Sequence, residues 1–277
     1  MKKFLFAVLF LSIAFAQSKF ELKKVWESEP ELKVCESVLF NDGNVYVSCI
    51  NGKPSEKNGK GYIAKLNSDG EIIKKEWANG LNAPKGMSVF NDFLIVTDIH
   101  RIAKIDLKTG KVIKFYDIEG SSFLNDVAVT ENGVFYISDA GAGKIFKLEN
   151  ETITEVFKNP AKYPNGMYIE NNILYAGGSS KSKEIYSYDL KTGKNLTNYK
   201  SDSGIDGLKL IDKDNFLVSD WMGRTYIVSK KAEFIELINT TSQKVFAADL
   251  EYIKSKELVI IPTFFDNRVV AYKLIRK

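Results

Sequence analysis

The chain has 277 residues, 39 of them basic and 35 acidic, giving a formal net charge of +4. A balance this close to neutral leaves no electrostatic footprint for nucleic acid or an acidic membrane surface. A single histidine and two cysteines exclude two-histidine catalysis, and their spacing fits no zinc site of the Cys/His type.

The first element is a leader. Lys2 and Lys3 precede an apolar run over residues 4–13, and Ala14-Phe15-Ala16 supplies an A-x-A cleavage signal before Gln17. The run falls short of the ~20 residues needed to span a bilayer, and no cysteine follows the cleavage site to accept a lipid. The expectation is a secreted or periplasmic protein without a stable membrane anchor, with residues 1–16 as signal peptide and 17–277 as one domain.

Phe20-Glu-Leu-Lys-Lys-Val-Trp26 comes next, and it matches a later strand, Glu71-Ile-Ile-Lys-Lys-Glu-Trp77. Beyond it, Cys35 and Cys49 flank a hairpin: Val38-Leu39-Phe40, a turn at Asn41-Asp42-Gly43, then Val45-Tyr46-Val47. A turn centred on Asp42 sets the two cysteines opposite one another. In an oxidising compartment that predicts a cross-strand disulfide, worth roughly 3 kcal/mol by loop entropy.

The hairpin is the first of six similar units. Each begins with a small or polar pair and an apolar strand, followed by a turn, a second strand, a loop and a third strand. The starts read Cys35-Glu-Ser-Val38, Pro84-Lys-Gly-Met87, Leu124-Asn-Asp-Val127, Pro164-Asn-Gly-Met167, Ile205-Asp-Gly-Leu208 and Ala248-Asp-Leu-Glu251. Their second residues lie 49, 40, 40, 41 and 43 apart, the period of β-propeller blades. The fold class is therefore all-β, a six-bladed β-propeller. The sixth unit lacks a fourth strand, and residues 20–26 are expected to supply it and close the ring, since an open ring would carry a bare sheet edge.

First strands of propeller blades line the central channel, so Glu36, Lys85, Asn125, Asn165, Asp206 and Asp249 form a ring at one mouth. Asn and Asp also cap turns, but glutamate is not a turn residue. Five side-chain oxygen donors converging on one axis suit a hard cation.

With these motifs the chain resembles the gluconolactonase/regucalcin-like family of six-bladed propellers, which includes the senescence marker protein and the luciferin-regenerating enzyme. The resemblance implies that Glu36, Asn165 of Pro164-Asn165-Gly166 and Asp206 of Asp206-Gly207 hold one divalent cation. Calcium is the favoured ion, with Mg, Mn and Zn as alternatives. It also implies that Asn125 of Asn125-Asp126 meets substrate or completes the metal shell, and that the substrate is a small-molecule lactone or ester. Asp206 is the candidate general base, with Asp249 behind it, and Lys85 and Asp249 are further candidate substrate contacts. Phe123 stands where the family's sugar lactonases carry arginine, Ser37-Val38 replaces their Gly-Pro, and Lys85 adds an ammonium to the ring. The alternative function is a non-catalytic propeller of the NHL kind, binding a ligand or protein partner through the loops of one face.

Three loop features share that face. Residues 51–61 form the longest loop, a lid or a solvated connection. Trp221 either stacks on a ligand or packs between blades. His100 is a lone histidine with no nucleophile motif beside it.

Overall fold

The structure is a computed structural model, and it describes residues 19–157, 162–179 and 182–277. The expected signal peptide, residues 1–16, lies outside the described residues.

Alternating apolar residues give each strand one face for each neighbouring sheet. Among the described residues they build six four-stranded antiparallel sheets, arranged as propeller blades. Blade 1 runs through Cys35–Asn41, Asn44–Cys49, Gly61–Asn67 and Ile72–Leu81, and blades 2 to 5 repeat that order. Blade 6 takes Glu251–Ile253, Leu258–Pro262 and Val269–Arg276 from the end of the chain and Phe20–Glu27 from its beginning. The N-terminal strand pairs antiparallel to the last strand from Phe20↔Arg276 to Glu27↔Val270. The ring is closed as the sequence led us to expect.

The core lies between blades. Tyr46, Ile63 and Trp77 of blade 1 pack against Met87, Leu94 and Val96 of blade 2, and comparable clusters recur around the ring. The closing strand sits in two of them. Phe20 and Leu22 pack on the cluster containing Leu217, Ile227 and Ile261, while Trp26 joins Val38, Leu66 and Ile260. The similarity between residues 20–26 and 71–77 has a packing cause. Trp26 covers Gly70, and Trp77 covers Gly110, the turn glycine of the following blade in each case. Both glycines have positive φ (86° and 72°), and a Cβ on Gly70 would lie 2.4 Å from the Trp26 ring.

One expectation needs correcting. Cys35 and Cys49 are direct register partners, yet both are free thiols. The ladder shifts between Cys35 and Ser37, and the Cys35 thiol donates to the Arg268 carbonyl at 3.0 Å in blade 6 instead of meeting its partner. Burial pushes Cys35 up to about 12 and Cys49 well above its ordinary value. Both therefore remain protonated and shielded, whereas disulfide exchange needs an accessible thiolate.

Candidate active site

The first strand of blades 1 to 4 is irregular at its start. Register shifts fall at Cys35/Ser37, Pro84/Met87, Leu124/Val127 and Pro164/Met167. Such bulges re-aim a side chain, and the re-aimed residues include Glu36, Lys85, Asn125 and Asn165. Blades 5 and 6 begin their ladders three residues later, at Leu208 and Glu251, leaving Asp206 and Asp249 ahead of the pairing.

Two devices fix these starts. In blades 1, 3 and 5 a serine hydroxyl near the end of the second strand meets the residue after the ring position. Ser48 accepts from the Ser37 amide (2.9 Å), Ser138 from the Asp126 amide (2.8 Å) and Ser219 from the Gly207 amide (2.8 Å). The aspartate that follows the hydroxyl ties down the incoming loop. Asp98 accepts from the Asn82 and Ala83 amides, and Asp139 from those of Ser122 and Phe123. Sequence reading passed over these residues, although the repeated dipeptides Thr97-Asp98, Ser138-Asp139 and Ser219-Asp220 carried the signal. Gly166 is required by crowding: a Cβ there would lie 2.2 Å from the Asp206 carbonyl.

Five of the six ring residues, Glu36, Lys85, Asn125, Asn165 and Asp206, line one cavity of about 850 Å³ at the channel mouth. Glu36 and Asp206 are buried, and the Asn165 amide donates to Asp206 Oδ1 at 3.0 Å. That donation turns Asn165 Oδ1 away. Asn165 Oδ1 and Glu36 Oε2 are buried oxygens without a hydrogen-bond partner. Native proteins rarely leave buried acceptors unmet.

Asp249 does not line the cavity. Its carboxylate accepts from the Ser37 hydroxyl (2.6 Å) and the Leu250 amide (2.7 Å). Lys85 is almost fully buried, and its ammonium donates to the carbonyls of Pro54 and Ala83, both at 2.9 Å. The Phe123 ring covers it at 4.5 Å. Loop 51–61 is thereby anchored through Pro54 and forms part of the cavity wall. His100 is held by the Ser121 carbonyl (3.2 Å) and lies outside the cavity lining. Trp221 lines the cavity and also packs on Phe246 at 4.6 Å, which joins the two roles left open for it.

The electrostatics are those of crowded carboxylates. Burial, and Asp206 beside it, hold Glu36 well above the ordinary carboxylate range, with Lys85 pulling the other way. Burial and the charge of Asp249 raise Asp206 to about 7, against the Asn165 amide and Lys85. Lys85 is lowered by burial and supported by Glu36, Asp98 and Asp206. Among the described residues, no group of three or more His, Cys, Asp or Glu side chains is placed to hold a metal ion. The set here comprises two carboxylates and an amide. Its two unmet oxygens, with Asp206 adjacent, fit the donor chemistry of a hard cation.

The family profile described as the SMP-30/Gluconolactonase/LRE-like region matches residues 86–244. No curated protein matches the chain. Among solved structures, a catalytically inactive histidine-to-alanine variant of virginiamycin B lyase from Staphylococcus aureus, with quinupristin, is similar at 15% identity and a TM-score of 0.63. The match covers 92% of this chain and 100% of that one. At that identity the likeness concerns the fold alone. In all, 1399 solved chains match, a breadth that marks a shared scaffold and not a shared reaction.

Proposed function

The chain belongs to the SMP-30/Gluconolactonase/LRE-like family, and from that premise we propose that its cavity hydrolyses a lactone or similar small ester with one divalent cation, Ca²⁺ favoured. The observation that carries this reading is the pair of buried oxygens without donors, Glu36 Oε2 and Asn165 Oδ1, in the cavity that Asp206 also lines. A scaffold propeller has no use for unmet acceptors at its axis, since each costs about 1–3 kcal/mol.

Glu36, Asn165 and Asp206 would hold the cation. Bound there, it would supply Lewis-acid polarisation of the carbonyl and a more acidic water. The chain's own residues do the rest. Asp206 accepts a proton from the attacking water as the water oxygen bonds to the carbonyl carbon. When the ring C–O bond breaks, Asp206 returns that proton to the leaving oxygen, so lactone plus water gives a hydroxy acid. Asn165 fixes the Asp206 carboxylate through its amide. Asn125, which lines the cavity, would orient the substrate, while Phe123 and Pro54 keep water from the buried face of Lys85. The leader-like residues 1–16 support a secreted or periplasmic setting.

The test is metal analysis of the purified mature protein, followed by a lactone and ester panel with and without chelator. We expect about one equivalent of divalent cation and hydrolysis that chelator removes and Ca²⁺ restores. A protein that binds no cation and turns over no panel member would overturn the reading.

A further inference from the structure

One wall of the cavity is unlike the polar ring. Trp221 and Met222, from the loop after Asn215–Asp220 in blade 5, line the cavity and remain 43% and 53% exposed. Phe264, from the loop after Leu258–Pro262 in blade 6, lines it beside them, and Ile205 and Phe123 continue the apolar surface toward the ring. The wall is built rigidly. Trp221 packs on Phe246 at 4.6 Å and meets Phe264 edge-on at 5.8 Å, and Phe264 meets Phe265 edge-on at 4.7 Å. Behind Phe264 lies a buried cluster of Ile50, Ala83, Ile99 and Ala248.

Phe264 also has a positive φ of 49°. For a bulky residue that is a strained backbone. An isolated bridge between Cys35 and Phe264 holds it in place. Large apolar side chains exposed inside a concavity, instead of scattered over the surface, mark a binding surface.

Two of the three cationic side chains that line the cavity are already engaged, while the third, Lys183, lines it exposed and without an ion pair among the described residues. The Arg224 guanidinium is engaged by Asp220 at 2.7 Å and by Asp202 at 3.2 Å. The Lys85 ammonium is held by two carbonyls and a ring. The cavity thus combines a carboxylate-rich polar end, one exposed lysine, about 850 Å³ of space and an aromatic wall.

We propose that the cavity takes an amphipathic lactone or ester, with its carbonyl at the Asp206 end and an apolar acyl or aryl arm laid along Trp221, Met222 and Phe264. This rests on the hydrolase reading and names its substrate class. Trp221 and Met222 are specificity-determining residues, because they touch the arm and not the reacting atoms. A small polyhydroxylated lactone would leave this wall wet and its own hydroxyls facing aromatic rings.

The experiment has two arms. In the first, kcat/KM is measured on γ-lactones from γ-butyrolactone to γ-dodecalactone. It should rise roughly tenfold for every two methylenes added until the wall is covered. In the variant combining Trp221→Ala with Met222→Ser, the ratio of long-chain to short-chain kcat/KM should fall at least tenfold, while Trp221→Phe retains most of it. A flat series, or a slope that survives the double substitution, overturns the proposal.

The second arm reads binding without turnover. 10-Bromo-1-decanol should quench tryptophan emission in the wild type, and Trp221→Phe should remove that quenching. Quenching without hydrolysis of any lactone would keep the apolar arm site and sink the hydrolase reading. Hydrolysis without a chain-length slope would do the reverse, and absence of both would overturn both.

Discussion

Two sets of buried carboxylates line the inner strands of this ring, and they differ in whether their oxygens are met. Asp126 accepts from the Met167 amide at 2.6 Å and the Val127 amide at 2.7 Å, and Asp249 from Ser37 and Leu250. Lys209 stands beside them, 3.9 Å from Glu251. Burial pulls the Lys209 ammonium down, but Glu251, Asp249 and Asp126 outweigh that and hold it above its ordinary value. In the other set, Glu36 Oε2 and Asn165 Oδ1 are unmet, and Asp206 takes its side-chain hydrogen bond from Asn165. Both sets raise carboxyl pKa values, chiefly through burial. Perturbed titration therefore does not separate structure from function here. Satisfaction of oxygens does distinguish the two sets: the first is met by hydrogen bonds that join blades, while the second leaves Glu36 Oε2 and Asn165 Oδ1 unmet at the cavity.

The comparison breaks most visibly at Asp206. Asp206→Ala should lower lactone kcat/KM by about 10³-fold, the range of a lost general base, with little loss of stability because a burdened charge is removed. Asp126→Ala should do the opposite. It removes the partner of two amides and part of the counter-charge of Lys209, costing about 2–3 kcal/mol and roughly 5–8 °C in thermal midpoint. If calorimetry found the two variants equally unstable, the distinction would fail.

A pH series sharpens it further. Asp206 in the fold titrates at about 7 against an ordinary value of 3.8. An acid raised by folding binds protons more tightly in the native state, so its contribution is greatest below pH 4 and is lost as pH rises toward 7. In chelator, the melting temperature should therefore decline between pH 4.5 and 7.5 by several degrees, and Ca²⁺ should restore more at pH 7.5 than at pH 4.5. The smallest effect is expected at Lys85. Lys85→Met removes the internal ammonium near Glu36 and Asp206, and Ca²⁺ affinity by calorimetry should tighten by a few-fold to about tenfold; weaker binding would show that Lys85 supports the site.

The ring was legible because a bulge repeats. Cys35-Glu36-Ser37, Pro84-Lys85-Gly86 and Pro164-Asn165-Gly166 each set one polar residue in front of an apolar strand, and a period near 40 does not arise from turn propensity alone. Trp26 was legible for a similar reason, since it meets the turn glycine of the following blade, Gly70, as Trp77 meets Gly110, although Trp77 comes closest through its carbonyl. The split between Asp206 and Asp249 was not. Both open the strand of their unit, and only tertiary packing gives one a serine and an amide and leaves the other at the cavity. The aromatic wall was hidden because Trp221, Phe246 and Phe264 come from separate loops whose spacing shows no pattern. The cysteine register was readable in the hairpin, but the direction of the Cys35 thiol depended on Arg268, more than two hundred residues away.

The strand that closes blade 6 also governs when the molecule becomes a molecule. Phe20 pairs with Arg276, and the Lys277 amide donates to the Lys19 carbonyl at 2.9 Å. Among the described residues no contact joins positions farther apart in sequence than these, and contacts of that separation slow folding. Five blades can form in order as the chain is made, each leaning on the one before. The sixth waits with an open edge until the oldest strand meets the newest. Until then Glu36 and Asp206 stand on an incomplete circle. The proposed cation site would thus be among the last features to acquire its geometry, and a divalent ion binding there would reward only chains that have closed.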